Sequence, residues 1–413
     1  MTSEPLIPPT SPRRAALAFI LITVMLDMLA LGMIIPVLPK LVVEFLGGNT
    51  VRAAETLGVF GTVWALMQFL FSPILGALSD RFGRRPVILL SNLGLGLDYV
   101  LMAMAPTLGW LFVGRVISGI TAASVTTAFA YITDVTPQEK RAAGFGMIGA
   151  AFGLGFVLGP AVGGLLGGFS PRVPFAVAAG LSLLNALYGL LVLPESLSPA
   201  LRSPFSIKRA NPVGSVKLLG SSPRLLGLAG VNFLANLAHV VLPAVFVLYA
   251  GYRYGWDERK VGLTLAGVGL CSMIVQGGLV RPVVAKLGER RALLLGLFCG
   301  AAGFSVYGLA ETGHGFWAGV PLMALWGLSG PATQGLMTRY VDASEQGRLQ
   351  GANSSIMGIA QLIGPAIFSL TFAYFIGPGT LWHLPGAPFL LAALLLLTAA
   401  GVAWRVTRGP IQR

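Results

Sequence analysis

Stretches of predominantly apolar residues recur along this chain near 16–38, 56–78, 87–105, 108–132, 144–166 and 174–193. They recur again near 225–250, 261–280, 292–310, 316–338, 352–376 and 386–404. Each has the roughly 20 residues that a helix rising about 1.5 Å per residue needs to cross a hydrocarbon layer about 30 Å thick. A segment in lipid satisfies its backbone polar groups only as a helix or in a closed barrel, and runs this long are not barrel strands. The expected fold is therefore an all-α polytopic membrane protein with twelve transmembrane helices. The even number puts both termini on one side. With 10% of residues charged, against about 25% in an ordinary soluble domain, the composition leaves little polar surface for water to cover.

The formal charge is +13, which on a soluble protein would point to nucleic acid, but the placement of the 28 Lys and Arg argues otherwise. Most lie in segments on one side of the membrane. Lys40, Arg52, Arg172, Arg253, Arg259 and Lys260 fall on the other side, and Arg115 lies inside an apolar stretch. The positive-inside rule accounts for this bias, makes the basic side cytoplasmic, and removes nucleic acid as an expected partner. The first apolar stretch is too long for a signal peptide and stays in the protein. Cys271 and Cys299 both sit in apolar stretches, so neither a disulfide framework nor a cysteine metal site is expected, and no cofactor is.

Residues 194–224, rich in Pro, Ser and basic side chains, read as a cytoplasmic linker between two halves, 1–193 and 225–413. The halves echo each other. "GALSDRFGRRPVILL" (76–90) has a degraded copy in "RPVVAKLGERRALLL" (281–295), and Gly159-Pro160 is matched by Gly364-Pro365. Internal repeats of this kind build transporters whose binding site lies at the repeat interface, near the membrane midplane.

The densest charge cluster is Asp80, Arg81, Arg84 and Arg85, flanked by Gly76 and Gly83. Asp80 can accept from the arginines or from a helix N-terminus, and a latch made this way can form in one conformation and break in the other. The segment "GALSDRFGRRP" resembles the loop signature of the major facilitator superfamily. "LFVGRVISGITAA" (111–123) resembles its fourth-helix signature, and "GLGFVLGPAVGGLL" (153–166) its antiporter signature. With "LDMLALGMIIPVLP", "SDRFGRRPVILLSNLGLGLDY" and "LGERRALLLG", the chain is similar to the tetracycline/proton antiporters of that superfamily over nearly its whole length. The resemblance implies two six-helix bundles and export of amphipathic drugs in exchange for protons. It further implies a monomer in the cytoplasmic membrane. Two positions depart from that pattern: Gly300 replaces a typical aspartate, and Ser272 a histidine found in several members. The titratable pair of the second half is therefore absent.

Independently of family, Gly155, Gly159, Gly163 and Pro160 give the fifth stretch a groove for a neighbouring helix and a kinkable point, a seam suited to gating. Asp27 and Asp98 lie roughly 18 and 16 Å in from the basic side, and Arg115 roughly 20 Å, so all three charges fall near one depth. An aspartate in hydrocarbon costs roughly 2.5–3.5 kcal/mol on the lenient insertion scale. Paired with Arg115 and facing a cavity, Asp27 reads as a proton carrier, with Asp98 sharing the load. His239, beside Asn232 and Asn236, together with Gln68, Gln276, Gln334 and Asp98, are candidate substrate contacts from both halves. Against this antiporter stands a facilitator or importer of a metabolite, which needs no titratable residue in its path. An enzyme or an ATP-driven pump is not expected, because the motifs H-E-x-x-H, G-x-S-x-G and G-x-x-x-x-G-K-[ST] are missing.

Overall fold

The computed structural model describes residues 12–122, 124–136, 141–202, 214–342 and 345–408, and among them it contains helices and no strand. The first half comprises α1 (Pro12–Ile34), α2 (Leu38–Phe45), α3 (Thr50–Phe82), α4 (Arg84–Met104), α5 (Leu108–Thr121), α6 (Ser124–Val135), α7 (Arg141–Gly167) and α8 (Val173–Val192). The second comprises α9 (Pro223–His239), α10 (Val241–Tyr254), α11 (Glu258–Ile274), α12 (Val280–Leu309), α13 (Gly313–Ala318), α14 (Val320–Leu325), α15 (Ser329–Thr338), α16 (Gln346–Ile376) and α17 (Ala387–Val406).

Ten helical runs among the described residues are long and apolar enough to cross a membrane, where the sequence reading expects twelve. The difference lies in two places. Glu258–Leu309 forms one continuous run of 52 residues, although Gly288 breaks it with φ 77° and ψ 160°. At 1.5 Å per residue such a run is roughly 78 Å long, far more than one bilayer. Gly313–Thr338, expected as one span, is divided into α13–α15 at Gly319 and at a 3-10 turn, Trp326–Leu328. In the linker, the 3-10 segment Gly214–Ser221 buries Leu218 and Leu219 and packs on α9 and α16; residues 203–213 lie outside the described set.

The repeat is visible in the backbone. Gly83 (φ 110°) and Gly288 both adopt the left-handed conformation that glycine favours, at matching places in the echoed loops. The halves meet along two seams, α7 with α11 and α3 with α16. In the first, Gly262 lies against the carbonyl of Pro160 and the Cα of Gly164. In the second, a Cβ added to Gly58 would lie 3.5 Å from the carbonyl of Pro365 and 3.0 Å from Ser369 Cβ. The two Gly-Pro pairs thus hold corresponding places in both seams. The stripe Gly155, Gly159 and Gly163, which the sequence reading gives to the seam, faces α1 instead: the Cα of Gly32 would lie 2.7 Å from a Cβ on Gly159. Glycines a helical turn apart fix which residues share a face but not which neighbour that face meets.

Both seams are tight toward the end carrying Lys40 and Glu258, whose side chains form an ion pair of 2.7 Å between the halves. Toward the opposite, basic end the first seam opens, while in the second Phe69 of α3 still lies against Gly358 of α16. Phe145 and Phe152 on α7 and Met273 and Ile274 on α11 are exposed, and a side chain at Gly146, Gly149, Gly277 or Gly278 would meet nothing.

Candidate functional site

Asp27, Asp98 and Arg115 are all buried, at 3%, 0% and 7% exposure. Asp27 sits one helical turn after Thr23 on α1, facing α8 and α4. Asn185 of α8 donates from Nδ2 to Asp27 Oδ1 (3.1 Å) and to the Thr23 carbonyl (3.3 Å), and its Oδ1 accepts from the Thr23 hydroxyl (3.2 Å). With its Nδ2 turned to the carboxylate, Asn92 of α4 donates to both Asp27 oxygens at 3.2 and 3.3 Å and accepts from Asn185 at 3.1 Å. Amide donors of this kind stabilise a buried carboxylate by hydrogen bonds to its charged form.

Arg115 makes its ion pair with Asp98, NH2 to Oδ2 at 3.4 Å, and also donates to Met102 Sδ at 3.1 Å. The sequence reading pairs Arg115 with Asp27. The structure gives it Asp98 as a partner: α4 and α5 are sequential antiparallel neighbours, and the short connection between them brings Arg115 round to Asp98. Depth along a helix is legible from residue counting, but azimuth is not. Asp98 Oδ1 is buried without a hydrogen-bond partner, and Gly114 makes room for it, since a Cβ there would lie 2.5 Å away. Asn92, which meets Asp27, and Asp98, which meets Arg115, both lie on α4.

In the second half, His239 is exposed although it lies inside the membrane-spanning run Pro223–Tyr254, at the break between α9 and α10. Its ring sits 5.5 Å from that of Trp326. Gln276, on a π-helical turn (Val275–Leu279), is exposed and reaches Gly327, where an added Cβ would lie 3.4 Å from Gln276 Cγ. Gln334 accepts from Asn353 Nδ2 (2.9 Å), and Asn353 Oδ1 in turn accepts from Asn232 Nδ2 (3.2 Å). His239, Gln276 and Trp326 therefore form one group, and Gln334 belongs to an amide chain. Gln68 on α3 is half-buried and makes no hydrogen bond to another described residue, so nothing ties it to the others.

At the basic end, Arg84 donates to Asp134 Oδ2 (3.0 Å) and Ser79 Oγ (3.0 Å) and pairs with Asp80. The carboxylate of Glu195 caps α4, accepting from the backbone N–H groups of Arg84 (2.8 Å) and Arg85 (3.3 Å). It presses on Gly83, which has no space for a side chain. Asp80 is half-exposed and bonded to Arg84 within its own loop, and among the described residues no ion pair joins it to the other half. Gly76 lines a cavity of about 220 Å³ with Ser72, Ser79, Asp80, Arg84 and Thr127. Asn92, Asn185 and Asn353 escaped the sequence reading although they carry the signal used for the glutamines, an amide inside an apolar stretch. Asp134 and Glu195 were missed because their partners are remote in sequence.

The family model described as Major Facilitator Superfamily matches residues 20–337. Over 385 residues, 92% of this chain and 94% of its relative, the sequence is 37% identical to tetracycline resistance protein, class C, of Escherichia coli. It is 35% identical to the class H protein of Pasteurella multocida, over 93% of this chain and 95% of that one. Among solved structures it is similar to the human organic anion transporter MFSD10, with a TM-score of 0.70 at 22% identity, covering 95% of this chain and all of that one. The nucleoside transporter NupG matches with a TM-score of 0.77 at 12% identity, over 96% and 100% of the two chains. At such identities the likeness is one of fold.

Proposed function

Because the chain belongs to the major facilitator superfamily, we propose that it is a secondary transporter that exports a small amphipathic drug across the cytoplasmic membrane in exchange for protons. The observation that carries this reading is a buried set of two carboxylates and one guanidinium, in which Arg115 pairs with Asp98 and Asp27 is held by amides of α4 and α8. Two acids and one base in a low-dielectric site hold an uncompensated negative charge when all are ionised. One proton neutralises it, so loading and release of that proton is the natural titration of the group. The resemblance to tetracycline resistance proteins supports drug export as the work done with it.

In this reading the chain crosses the membrane twelve times in two six-helix bundles, 1–193 and 225–413, joined by the linker 194–224. Glu258–Leu309 counts as two crossings and Gly313–Thr338 as one. Both termini and the basic end are cytoplasmic, and the open end of the α7–α11 seam is the inward-facing mouth. Substrate enters between the halves and meets Gln68 and Asp98 on one side and His239, Gln276 and Gln334 on the other. The halves then rock about the Pro160 and Pro365 seams. A proton returning through 100 mV releases about 2.3 kcal/mol, enough to hold a neutral substrate at a gradient of roughly 50-fold.

The test is drug accumulation by energised inside-out vesicles. Proton antiport requires that an uncoupler abolish accumulation while leaving downhill equilibration. Accumulation that survives the uncoupler excludes it, and equilibration alone, with or without the uncoupler, marks a facilitator.

A further inference from the structure

At the basic end of the second half, two guanidiniums share one indole ring. Arg290 of α12 lies 5.0 Å from the centre of the Trp404 ring on α17, and Arg408, just beyond α17, lies 4.6 Å from it. Arg290 is held in place: its Nε donates to Thr407 Oγ1 (3.1 Å), and that hydroxyl donates to the Ala403 carbonyl (2.6 Å). This bond leaves both Nη groups of Arg290 without a hydrogen-bond partner among the described residues. Glu289, the acid beside it in sequence, is turned away to Arg339, and among the described residues no carboxylate pairs with Arg290 or Arg408. An indole face attracts a cation, but two cations at one ring repel each other, so the pair gains from an anion that both can reach.

Trp404 is 46% exposed and lies in the last turn of the membrane-spanning run Ala387–Val406, the depth at which tryptophan marks the headgroup layer. On the same face of α17, deeper in the membrane, Gly401, Leu397 and Leu394 are exposed, and a side chain at Gly401 would meet nothing. An apolar strip with a notch beneath the indole therefore leads up to a pair of phosphate-compatible donors. A free anion in water would leave the strip uncovered, whereas a lipid covers both parts. We propose that this is a binding site for an anionic phospholipid of the leaflet at the basic end. Its phosphate accepts from Arg290 and Arg408, whose N–H forks match phosphate oxygens, and one acyl chain runs from the notch at Gly401 along Leu397 and Leu394. A zwitterionic headgroup brings an ammonium toward the same arginines and is the weaker ligand. The site does not depend on which substrate is transported.

The experiment incubates the purified full chain in mild detergent with phosphatidylglycerol or phosphatidylcholine of identical acyl chains and resolves bound lipid by native mass spectrometry. Phosphatidylglycerol should be retained in preference to phosphatidylcholine. Arg290→Gln and Arg408→Gln should each weaken it about fivefold and together about 30-fold, the effect of one and of two cations near a membrane surface. Arg281→Gln with Lys286→Gln removes the same charge from the exposed loop at this end and should leave retention close to wild type. An equal loss in the two double variants, or equal retention of both lipids by the wild type, overturns the site in favour of diffuse surface charge. Inorganic phosphate at matched concentration should fail to displace the lipid; full displacement makes this a site for a free anion and overturns the lipid assignment. Should the double variant not fold, Arg408→Gln alone carries the test, since that exposed side chain lies beyond the end of α17, and unchanged retention in it overturns the proposal.

Discussion

The two halves build the same ion pair with its signs exchanged. In the first, Arg84 at the echoed loop reaches Asp134 at the end of α6. In the second, Glu289, one residue past Gly288 as Arg84 is one past Gly83, reaches Arg339 beyond the end of α15 at 2.9 Å. The basic-end geometry is therefore preserved, and the polarity of the charge is not. Within the membrane the halves diverge further. With the spacing that relates Gly83 to Gly288 and Gly159 to Gly364, Asp98 falls on Gly303 and Arg115 on Val320. The second half carries amides, His239 and Trp326 where the first carries ions. Ions in hydrocarbon are expensive and are kept where charge has to move; amides are cheaper and directional, and suit recognition. Under the proposed function, that contrast suits coupling in the first half and the larger share of recognition in the second.

Removing the ions should have the largest effect. Asp27→Asn fixes that side chain neutral at nearly constant shape, so uphill efflux should vanish, a collapse of the roughly 50-fold gradient to none, while downhill exchange and ligand binding persist. Accumulation in energised vesicles checks this. Full accumulation with unchanged pH dependence would move the carrier to Asp98 or His239 and dissolve the division of labour.

Asp80→Asn comes next. Asp80 lies at the basic end, bonded to Arg84 and far from the aromatic and amide groups, so its loss should slow turnover about tenfold by removing a charge-assisted hydrogen bond. Ligand affinity should stay within a few-fold, measured as a dissociation constant beside a transport rate. An equal fall in both would place Asp80 in the binding site.

How much of this was legible beforehand follows from dimensionality. Apolar length, the echo of the loops and the common depth of Asp27, Asp98 and Arg115 are properties of position along the chain, and they can be read by counting residues. Which carboxylate meets Arg115, that Glu195 caps α4, and that Gly159 faces Gly32 rather than the seam depend on how helices rotate against one another. That rotation is set by packing among residues distant in sequence. Pairs such as Arg84 with Asp134 leave no local pattern at all.

The sign exchange itself gives a smaller effect. Glu289→Arg or Arg339→Glu alone sets like charges against each other and should slow transport several-fold, given the modest worth of part-exposed pairs. The double change installs the polarity of the first half and should recover most of the rate. Failure to recover would mean that the sign is selected by something outside the pair, and that the two basic ends are not equivalent.

The smallest effect is expected at the other end of the molecule, where Lys40 and Glu258 join the halves. Lys40 is 47% exposed, so its Coulomb attraction is largely screened, but Glu258 is only 6% exposed and its backbone lies against Gly164. A buried carboxylate that loses its cation is penalised more than the pair is worth. Lys40→Met should therefore disfavour the conformation in which this end is closed, by more than the screened attraction alone suggests. Glu258→Gln, which removes the buried charge itself, should disturb it less. A cysteine placed at Gly58, under the second seam, reports the outcome through labelling by an impermeant thiol reagent in intact cells. Labelling should rise a few-fold with Lys40→Met, less with Glu258→Gln, and return toward the starting value when both are present. If Lys40→Met leaves the labelling rate unchanged, the closure of this end is held by the two glycine-proline seams and owes nothing to charge, and the contrast between an ionic and a neutral half stops at the membrane surface.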